Sequence, residues 1–276
     1  MKKTLFEKNK NKLSQPFILS SFVLILMLFS NASQAISLTT YRMYLDNNNR
    51  TESFIMFNNR YDKEKCSIKI KHFNFDENGK MSAYKKAELP DNSAVPWVRY
   101  SPKNFTVERG RPQTVRFSMR RKANVTPQEY RSYLSVSCDK VLQEINTKEG
   151  QPATNPNGPS FQAKPKLVQN VPLVIRTGKL QATAEFDDIK VVGKKLTAKL
   201  IRKGDRSLYG QLALIDKRND KALGYKNSVS IYTETSSYAF DFSLAAKDTP
   251  PLEHLMLRFT EDENYGGSLV IEKNVK

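Results

Sequence analysis

The stretch Tyr130-Arg131-Ser132-Tyr133-Leu134-Ser135-Val136-Ser137-Cys138 carries the pattern that decides the fold class. Apolar side chains recur at alternate positions, as in a β-strand with one buried face, because successive side chains of a strand point to opposite sides of the sheet. Cys66–Phe75 and Thr114–Met119 show the same pattern. Turn-forming residues such as Asp76-Glu77-Asn78-Gly79 separate the runs about every ten residues, which is typical of a β-sandwich.

Strand-like runs separated by turn-forming residues continue on both sides of this stretch. Ile36–Leu45 reads as the first strand, and Leu167–Ile175 is followed by Thr177-Gly178, after which a second set of strands begins. We therefore predict an all-β protein made of two immunoglobulin-like β-sandwich domains in tandem, residues 36–177 and 178–276. The further predicted strands are Glu52–Phe57, Trp97–Tyr100, Asn104–Val107, Ile189–Val192, Leu196–Ile201, Leu212–Ile215, Val229–Thr233 and Leu255–Phe259.

The segment Asp139–Lys166 differs from its surroundings, since it is polar and rich in turn formers. A loop of this length is uncommon inside a compact domain, and such loops are usually functional or disordered. Because it directly precedes the strand-like run at Leu167, we interpret it as a segment that a binding partner orders. A simple surface insertion is the alternative.

The N-terminal 35 residues have the features of a secretory signal peptide. Lysines dominate the first 12 residues, Phe17–Phe29 forms an apolar core, and Ser33-Gln34-Ala35 offers small residues where a signal peptidase cleaves. The apolar core has 13 residues, fewer than the roughly 20 that a membrane-spanning helix needs. We predict a signal peptide at 1–35 rather than a membrane anchor, and an exported chain without stable membrane insertion.

The chain is strongly basic, with a formal net charge of +17. Without residues 1–35 it keeps 40 basic and 27 acidic side chains. A basic cytosolic protein would suggest nucleic acid as the ligand, but an exported one seldom meets it. We therefore expect no nucleic-acid partner, and assign the charge to acidic protein partners, a membrane surface or solubility.

Cys66 and Cys138 are the only cysteines. Both fall in strand-like runs, and an even number of cysteines in an oxidising compartment favours a disulfide. We predict a structural bridge between two strands, with two free thiols as the alternative. The chain has no C-x-x-C spacing, which argues against a redox-active pair.

The sequence offers no set of residues for catalysis. The two histidines, His72 and His254, lie in opposite halves of the chain, and neither has a ligand partner at metal-binding spacing. Asp187 and Asp188 are a pair of carboxylates, but neighbouring residues on a strand face opposite sides, so the two cannot share a proton. We predict that the protein is not an enzyme and that it needs neither a cofactor nor a metal.

Taken in order, several segments of the chain resemble the PapD-like periplasmic chaperones of the chaperone–usher pathway of pilus assembly. The resemblance covers nearly the whole chain after residue 35, and two of its runs, Glu129–Leu134 and Val171–Arg176, are closer to the archaic branch of that family. It is the order and spacing of the segments that make the pattern specific. The segments are Ile36–Asp46, Ser101–Phe105, Gln113–Phe117, Glu129–Leu134, Val171–Arg176 and Leu200–Gly210.

The resemblance implies a site that binds the terminal carboxylate of a pilus subunit. In the family a cleft arginine and a lysine of the last strand of the first domain share this role. Arg42 stands in the place of the arginine, whereas Pro172 occupies the place of the lysine and has neither charge nor backbone donor. We predict that Arg42 is the carboxylate anchor and that Arg116 or Arg131 replaces the lysine.

The resemblance also implies that a strand of this chain completes the fold of a subunit by strand addition. The donor strand would be Leu167–Ile175, in which Leu167, Gln169, Val171 and Leu173 share one face. We expect Leu167 and Val171 to enter the groove of the subunit, and the residues nearer Arg176 to pack in the chaperone. The alternative is that all of them are ordinary core residues.

The function that follows is that of a periplasmic chaperone, which caps pilus subunits and delivers them to an outer-membrane usher. Its partners would be pilin subunits and the usher. The alternative from the residues alone is a secreted immunoglobulin-like adhesion or carbohydrate-binding module. That reading would require exposed aromatic residues in loops, whereas the single tryptophan, Trp97, lies in a strand-like stretch.

Overall fold

The structure is a computed structural model and describes residues 36–60, 62–76, 80–122, 125–140, 167–244 and 249–275. The predicted signal peptide and residues 141–166 of the predicted loop lie outside these residues. The described part is almost entirely β-structure, with only three short 3-10 helices at Val95–Trp97, Leu252–His254 and Glu263–Tyr265. It contains no helix with the length and apolar character needed to cross a membrane.

The described residues of the first half of the chain form eleven strands. In order they are β1 (Ile36–Leu38), β2 (Met43–Leu45), β3 (Thr51–Asn58), β4 (Glu64–Lys71), β5 (Phe73–Phe75), β6 (Met81–Ala83), β7 (Val98–Ser101), β8 (Asn104–Val107), β9 (Pro112–Met119), β10 (Gln128–Lys140) and β11 (Val168–Thr177). Sheet 1 has the order β1-β3-β9-β7, and sheet 2 the order β2-β11-β10-β4-β8. β5 and β6 form a separate hairpin.

Sheets 1 and 2 enclose one hydrophobic core. Phe54 and Phe117 of sheet 1 are fully buried, and their rings meet edge to face with centroids 6.5 Å apart. Leu134 and Leu173 of sheet 2 belong to the same core. The alternating pattern of the sequence thus places one face of each strand inside a β-sandwich, which we call the first sandwich.

Seven strands are formed by the part of the second half that the structure describes. They are β12 (Ala182–Val192), β13 (Lys195–Gly204), β14 (Leu208–Asp216), β15 (Lys221–Ile231), β16 (Ser237–Ser243), β17 (Leu255–Glu261) and β18 (Val270–Asn274). Sheet 3 has the order β12-β13-β16, and sheet 4 the order β15-β14-β17-β18. A second core, which includes Leu200, Leu214 and Phe259, lies within these strands. We call this part the second sandwich.

The predicted all-β fold of two immunoglobulin-like sandwiches in tandem is confirmed. The chain passes from the first to the second through residues 178–181. Gly178 has a φ of +67°, and a Cβ atom there would lie 2.7 Å from Cγ of Pro127, so this position requires glycine. The division into domains at residues 177 and 178 remains a prediction.

Two predicted strands are divided in the structure. Ile36–Leu45 becomes β1, which pairs with β3 in sheet 1, and β2, which pairs with β11 in sheet 2. The chain changes sheets between them, at residues 39–42. The predicted strand Cys66–Phe75 is also divided. Its first part, up to Lys71, belongs to β4 of sheet 2, and Phe73–Phe75 forms the short hairpin strand β5. In both segments the apolar positions change from even to odd residue numbers at the break, from Ile68 and Ile70 to Phe73 and Phe75 in the second of them. The prediction of single continuous strands overlooked this change.

The predicted disulfide is present. Cys66 of β4 and Cys138 of β10 are directly opposite in the antiparallel register, and their sulfur atoms are bonded at 2.04 Å. The bridge joins residues 72 positions apart in the sequence. It therefore closes a long loop in the unfolded chain and lowers the entropy of that state.

We expect the double substitution of Cys66 and Cys138 with alanine to lower the free energy of unfolding by about 2–4 kcal/mol. Urea unfolding, followed by tryptophan fluorescence, measures the change. Reduction of the wild-type protein should give a similar loss and should leave the alanine variant unaffected. An unchanged urea midpoint in the alanine variant would contradict a structural role for the bridge.

Candidate functional site

Arg42 lies between β1 and β2, where the chain changes sheets, and it is only 3% exposed. Its guanidinium carbon lies 4.3 Å from the ring centroid of Tyr209 and 5.8 Å from those of Tyr232 and Tyr265. These tyrosines belong to the second sandwich, so the arginine reaches across from the first. A cation over aromatic faces is favourable, but the rings supply no negative charge.

The guanidinium of Arg42 has few hydrogen-bond partners. Nη1 donates to the Ser230 hydroxyl at 3.4 Å, and the buried Nε has no hydrogen-bond acceptor. Within the described part of the chain no carboxylate forms an ion pair with it. Burial of a charge without a counter-ion costs free energy, and a bound anion removes that cost.

Arg131 of β10 is equally buried, at 3% exposure, but its charge is matched. Its Nη2 donates to Glu234 Oε1 at 2.6 Å, and its Nη1 donates to the hydroxyl of Tyr133 at 3.4 Å. The guanidinium carbon lies 3.8 Å from the ring centroid of Tyr232 and 4.2 Å from that of Phe75. Arg131 therefore connects the two sandwiches.

The ring of Tyr232 joins the two arginines, because both guanidinium groups lie within 6 Å of it. Burial raises the pKa of the neighbouring Tyr133 far above its ordinary value. Burial also acts to raise the pKa of Tyr232, but the charges of Arg42 and Arg131 and a hydrogen bond from Tyr133 outweigh it and lower that pKa. The two positive charges thus favour the anionic form of Tyr232, whereas burial disfavours that of Tyr133. We call Arg42, Arg131, Tyr133 and Tyr232 the arginine cluster.

The third predicted arginine lies elsewhere. Arg116 is in the middle of β9 in sheet 1, where Val115 and Phe117 on either side of it are buried and Arg116 itself is exposed. Its register partners are Ser53 of β3 and Ser101 of β7. Arg42 and Arg131, in contrast, belong to sheet 2 or to the turn that leads into it. The structure brings Arg42 and Arg131 together and leaves Arg116 on the outer face of the opposite sheet.

The predicted donor strand is β11, which has one open edge. On one side it pairs with β10 over its full length. On the other side the parallel strand β2 covers only Leu173–Ile175. Over the described residues no strand covers this second edge at Val168–Pro172, which we call the open edge. Its backbone groups are available to a further strand.

Arg42 lies where the open edge ends. Met43, the next residue, pairs with Leu173, so Arg42 lies beside the point at which β2 takes over from the open edge. Arg131 is close to the same point, because its register partner on β11 is Val174. A strand that occupied the open edge, in line with β2 and parallel to β11, would end at the arginine cluster.

Comparisons with known proteins give structural neighbours only, since no family model and no curated sequence matches the chain. The CupB2 chaperone of Pseudomonas aeruginosa is 12% identical over 87% of this chain and 100% of its own, with a TM-score of 0.46. The E. coli chaperone DraB is 14% identical over 88% and 97%, with a TM-score of 0.47.

A third neighbour is the chaperone–tip adhesion subunit pre-assembly complex CsuC–CsuE, from the archaic Csu pili of Acinetobacter baumannii. It is 12% identical over 86% of this chain and 97% of that one, with a TM-score of 0.46. The chain resembles PapD-like pilus chaperones. These are also the proteins that its sequence motifs indicated, and the similarity to the solved structures concerns the fold.

The predicted donor residues divide between surface and core. Leu167 is 64% exposed and Gln169 is partly buried, whereas Val171 and Leu173 belong to the core of the first sandwich. The expectation that Val171 enters a subunit groove does not match its place in the free protein. The reason is that the inner face of β11 already packs against sheet 1 at this point. Val168, on the other face, is 43% exposed.

Sequence reasoning missed the buried ion pair that links the sandwiches. Arg176 Nε donates to Glu129 Oε2 at 2.9 Å, and Arg176 Nη2 donates to the carbonyl oxygen of Ser207 at 3.0 Å. The backbone N–H of Ser207 donates to the same Glu129 oxygen at 3.0 Å. Arg176 and Glu129 are register partners on β11 and β10. The sequence offered one signal for this ion pair, namely the opposite charges of Glu129 and Arg176 at the ends of two apolar strands.

The described residues offer little to the alternative functions. They contain no group of three or more histidine, cysteine, aspartate or glutamate side chains that could hold a metal ion. Trp97 is buried in the first core, with its ring centroid 4.3 Å from that of Tyr130. It therefore has no free face for a sugar, and the exposed aromatic residue that the adhesion or carbohydrate-binding alternative would use in a loop is Tyr41, at 76% exposure.

Proposed function

We propose that the protein is a periplasmic chaperone that caps pilus subunits and delivers them to an outer-membrane usher. The observation that carries this proposal is the guanidinium of Arg42, which is buried and located where the open edge of β11 ends, and which has no counter-ion among the described residues. A site of this kind suits a chain end that combines an extended backbone with a carboxylate, which is what the C-terminus of a β-strand offers.

The carboxylate would bind between the two arginines. Guanidinium and carboxylate groups match as planar partners, and hydrogen bonds between them are among the strongest in proteins. Arg42 would contribute the free charge. Arg131 contacts the ring of Tyr232, which Arg42 also approaches, and would take the role that the proline at position 172 cannot fill. Arg116, exposed on sheet 1, has no part in this proposal.

The rest of the subunit strand would lie along the open edge. Strand addition supplies backbone hydrogen bonds, which give affinity with little demand on sequence. The exposed side chain of Leu167 would be buried by the subunit, at about 1.5–3 kcal/mol for a fully buried aliphatic side chain. The fixed carboxylate would then set the register of the added strand.

Export and location belong to the same proposal. A signal peptide at residues 1–35 would direct the chain to the periplasm, and the disulfide between Cys66 and Cys138 suits an oxidising compartment. The test is co-expression with a pilus subunit encoded next to the protein. We expect a one-to-one complex in the periplasmic fraction. If the protein is exported and folded but the co-expressed subunit still aggregates, the proposal is contradicted.

A single substitution at the exposed start of the donor strand separates binding from folding. Leu167→Asp should weaken subunit capture roughly 10-fold to 100-fold, because the burial of one leucine is lost and a charge would have to enter an apolar groove. The matched control is Val192→Asp, at a residue of the second sandwich that is 72% exposed. Both variants should unfold at the wild-type urea concentration, and only the first should lose the subunit. Equal capture by the two variants would show that Leu167 takes no part.

A further inference from the structure

Glu234 holds Arg131 in the way that a bound carboxylate would. It lies in the turn between β15 and β16, and its Oε1 is 2.6 Å from Nη2 of Arg131. The same oxygen accepts a hydrogen bond from Nδ2 of Asn92 at 3.1 Å, and Oε2 accepts one from the hydroxyl of Thr233 at 3.2 Å. The carboxylate thus reaches from the second sandwich into the arginine cluster.

The two arginines of the cluster therefore differ in the free protein. Arg131 has a carboxylate partner, whereas Arg42 has none among the residues that the structure describes. Both guanidinium groups contact the ring of Tyr232, at 3.8 Å for Arg131 and 5.8 Å for Arg42. A second carboxylate that arrived at Arg42 would enter the same cluster as Glu234, and like charges repel each other in a poorly solvated site.

We infer that Glu234 is an internal carboxylate, which occupies Arg131 in the empty protein and competes with the terminal carboxylate of an incoming chain. This inference rests on the proposed function. The incoming carboxylate binds first at Arg42, whose charge is free, and then displaces Glu234 from Arg131. The side chain of Glu234 is 26% exposed, so it can turn towards water without unfolding its strand neighbours. Glu234 thereby limits which chain ends are retained.

Two opposite effects of Glu234→Gln distinguish this role from that of a simple link between the sandwiches. The amide keeps the shape of the side chain but removes the charge. Loss of the ion pair with a buried arginine should lower the urea midpoint of the empty protein. Loss of the competing charge should raise the affinity for a free carboxylate about 10-fold. A residue that only links the sandwiches would lower the stability and would not raise the affinity.

The probe is a synthetic eight-residue peptide of alternating threonine and valine that ends in a free carboxylate, together with the same peptide ending in an amide. Isothermal titration compares the wild type, Glu234→Gln and the control Glu272→Gln. Glu272 accepts from Arg258 at the same 2.6 Å but forms an exposed pair on β18. We expect only Glu234→Gln to bind the acid peptide more tightly, with unchanged affinity for the amide.

The outcomes separate the two proposals. If Glu234→Gln binds the acid peptide no more tightly than the wild type, while both prefer acid to amide, the competition is wrong and the carboxylate site stands. If neither protein distinguishes acid from amide, the carboxylate site itself is wrong. A preference for the acid that appears only in Glu234→Gln would support the competition most strongly.

Discussion

Replacement of Arg42 with alanine is expected to weaken the capture of pilus subunits by roughly 30-fold to 4,000-fold. Loss of one partner of a desolvated, hydrogen-bonded charge pair costs about 2–5 kcal/mol, and each 1.4 kcal/mol is a factor of ten in affinity. The whole of this loss should fall on the complex, because Arg42 has no counter-ion in the free protein over the described residues. Titration of a refolded subunit into each chaperone variant measures it.

The stability of the Arg42→Ala variant provides an internal check. Removal of an uncompensated buried charge also removes its desolvation cost, which offsets the lost contact with the ring of Tyr209. We therefore expect the urea midpoint to stay near that of the wild type. Arg116→Ala is the matched control, since it removes an arginine from the exposed face of sheet 1. If Arg42→Ala binds subunits with the same affinity as Arg116→Ala, Arg42 is not the carboxylate anchor.

The second large effect concerns the joint between the sandwiches. Arg176→Ala should lower the free energy of unfolding by about 3–5 kcal/mol, because it leaves the buried carboxylate of Glu129 with an unmatched charge. The backbone carbonyl groups of Ser207 and Gly266 would each lose the hydrogen bond from Arg176 as well. Glu129→Ala should cost a similar amount. Urea unfolding of the three proteins at neutral pH measures the differences.

A double variant tests whether the charge, rather than packing, is responsible. Replacement of a buried ion pair by apolar residues of similar size is often neutral or stabilising. We expect Arg176→Met combined with Glu129→Leu to recover most of the stability that either alanine variant loses. A double variant as unstable as the sum of the single ones would show that the backbone contacts of Arg176 matter more than the ion pair.

The sequence predicted the sandwich fold because burial imposes a period of two on every strand. Tyr130–Cys138 and Thr114–Met119 fall within β10 and β9, and Asn104–Val107 coincides with β8. The structure extends β10 to Lys140, and it adds β16 and β18, which the pattern did not indicate. β18 is an edge strand whose residues are mostly exposed, so it lacks the alternation on which the prediction depended.

The arginine cluster was only partly predictable. The resemblance supplied Arg42. Arg116 and Arg131 were named because both lie in strands of the first domain, and the topology places Arg116 on another sheet. Which of these arginines lies near Arg42 depends on the sheet that each strand joins, and the residue types alone do not show this. Tyr209, Tyr232 and Glu234 come from the second sandwich and approach Arg42 and Arg131 only after both halves have folded. No local pattern marks them.

The donor strand shows the same limit on a smaller scale. Alternation placed Leu167, Gln169, Val171 and Leu173 on one face, and the structure agrees with that parity. Where the face passes from the protein's own core to the surface depends on how far sheet 1 extends beneath β11. That boundary falls between Val171, which is buried, and Leu167, which is exposed. Both are aliphatic residues of the same predicted strand, so the sequence does not show which of the two is buried.

Hydrogen exchange on the complex tests the strand-lending account most directly. The account predicts that the backbone amides of Leu167 to Val171 that do not point towards β10 exchange rapidly in the free protein. In the complex with a subunit they should become protected by at least about tenfold, because the added strand accepts their hydrogen bonds. Amides of β18, on the edge of the second sandwich, should not change. Unaltered exchange at residues 167–171 in a stable one-to-one complex would contradict strand addition at the open edge.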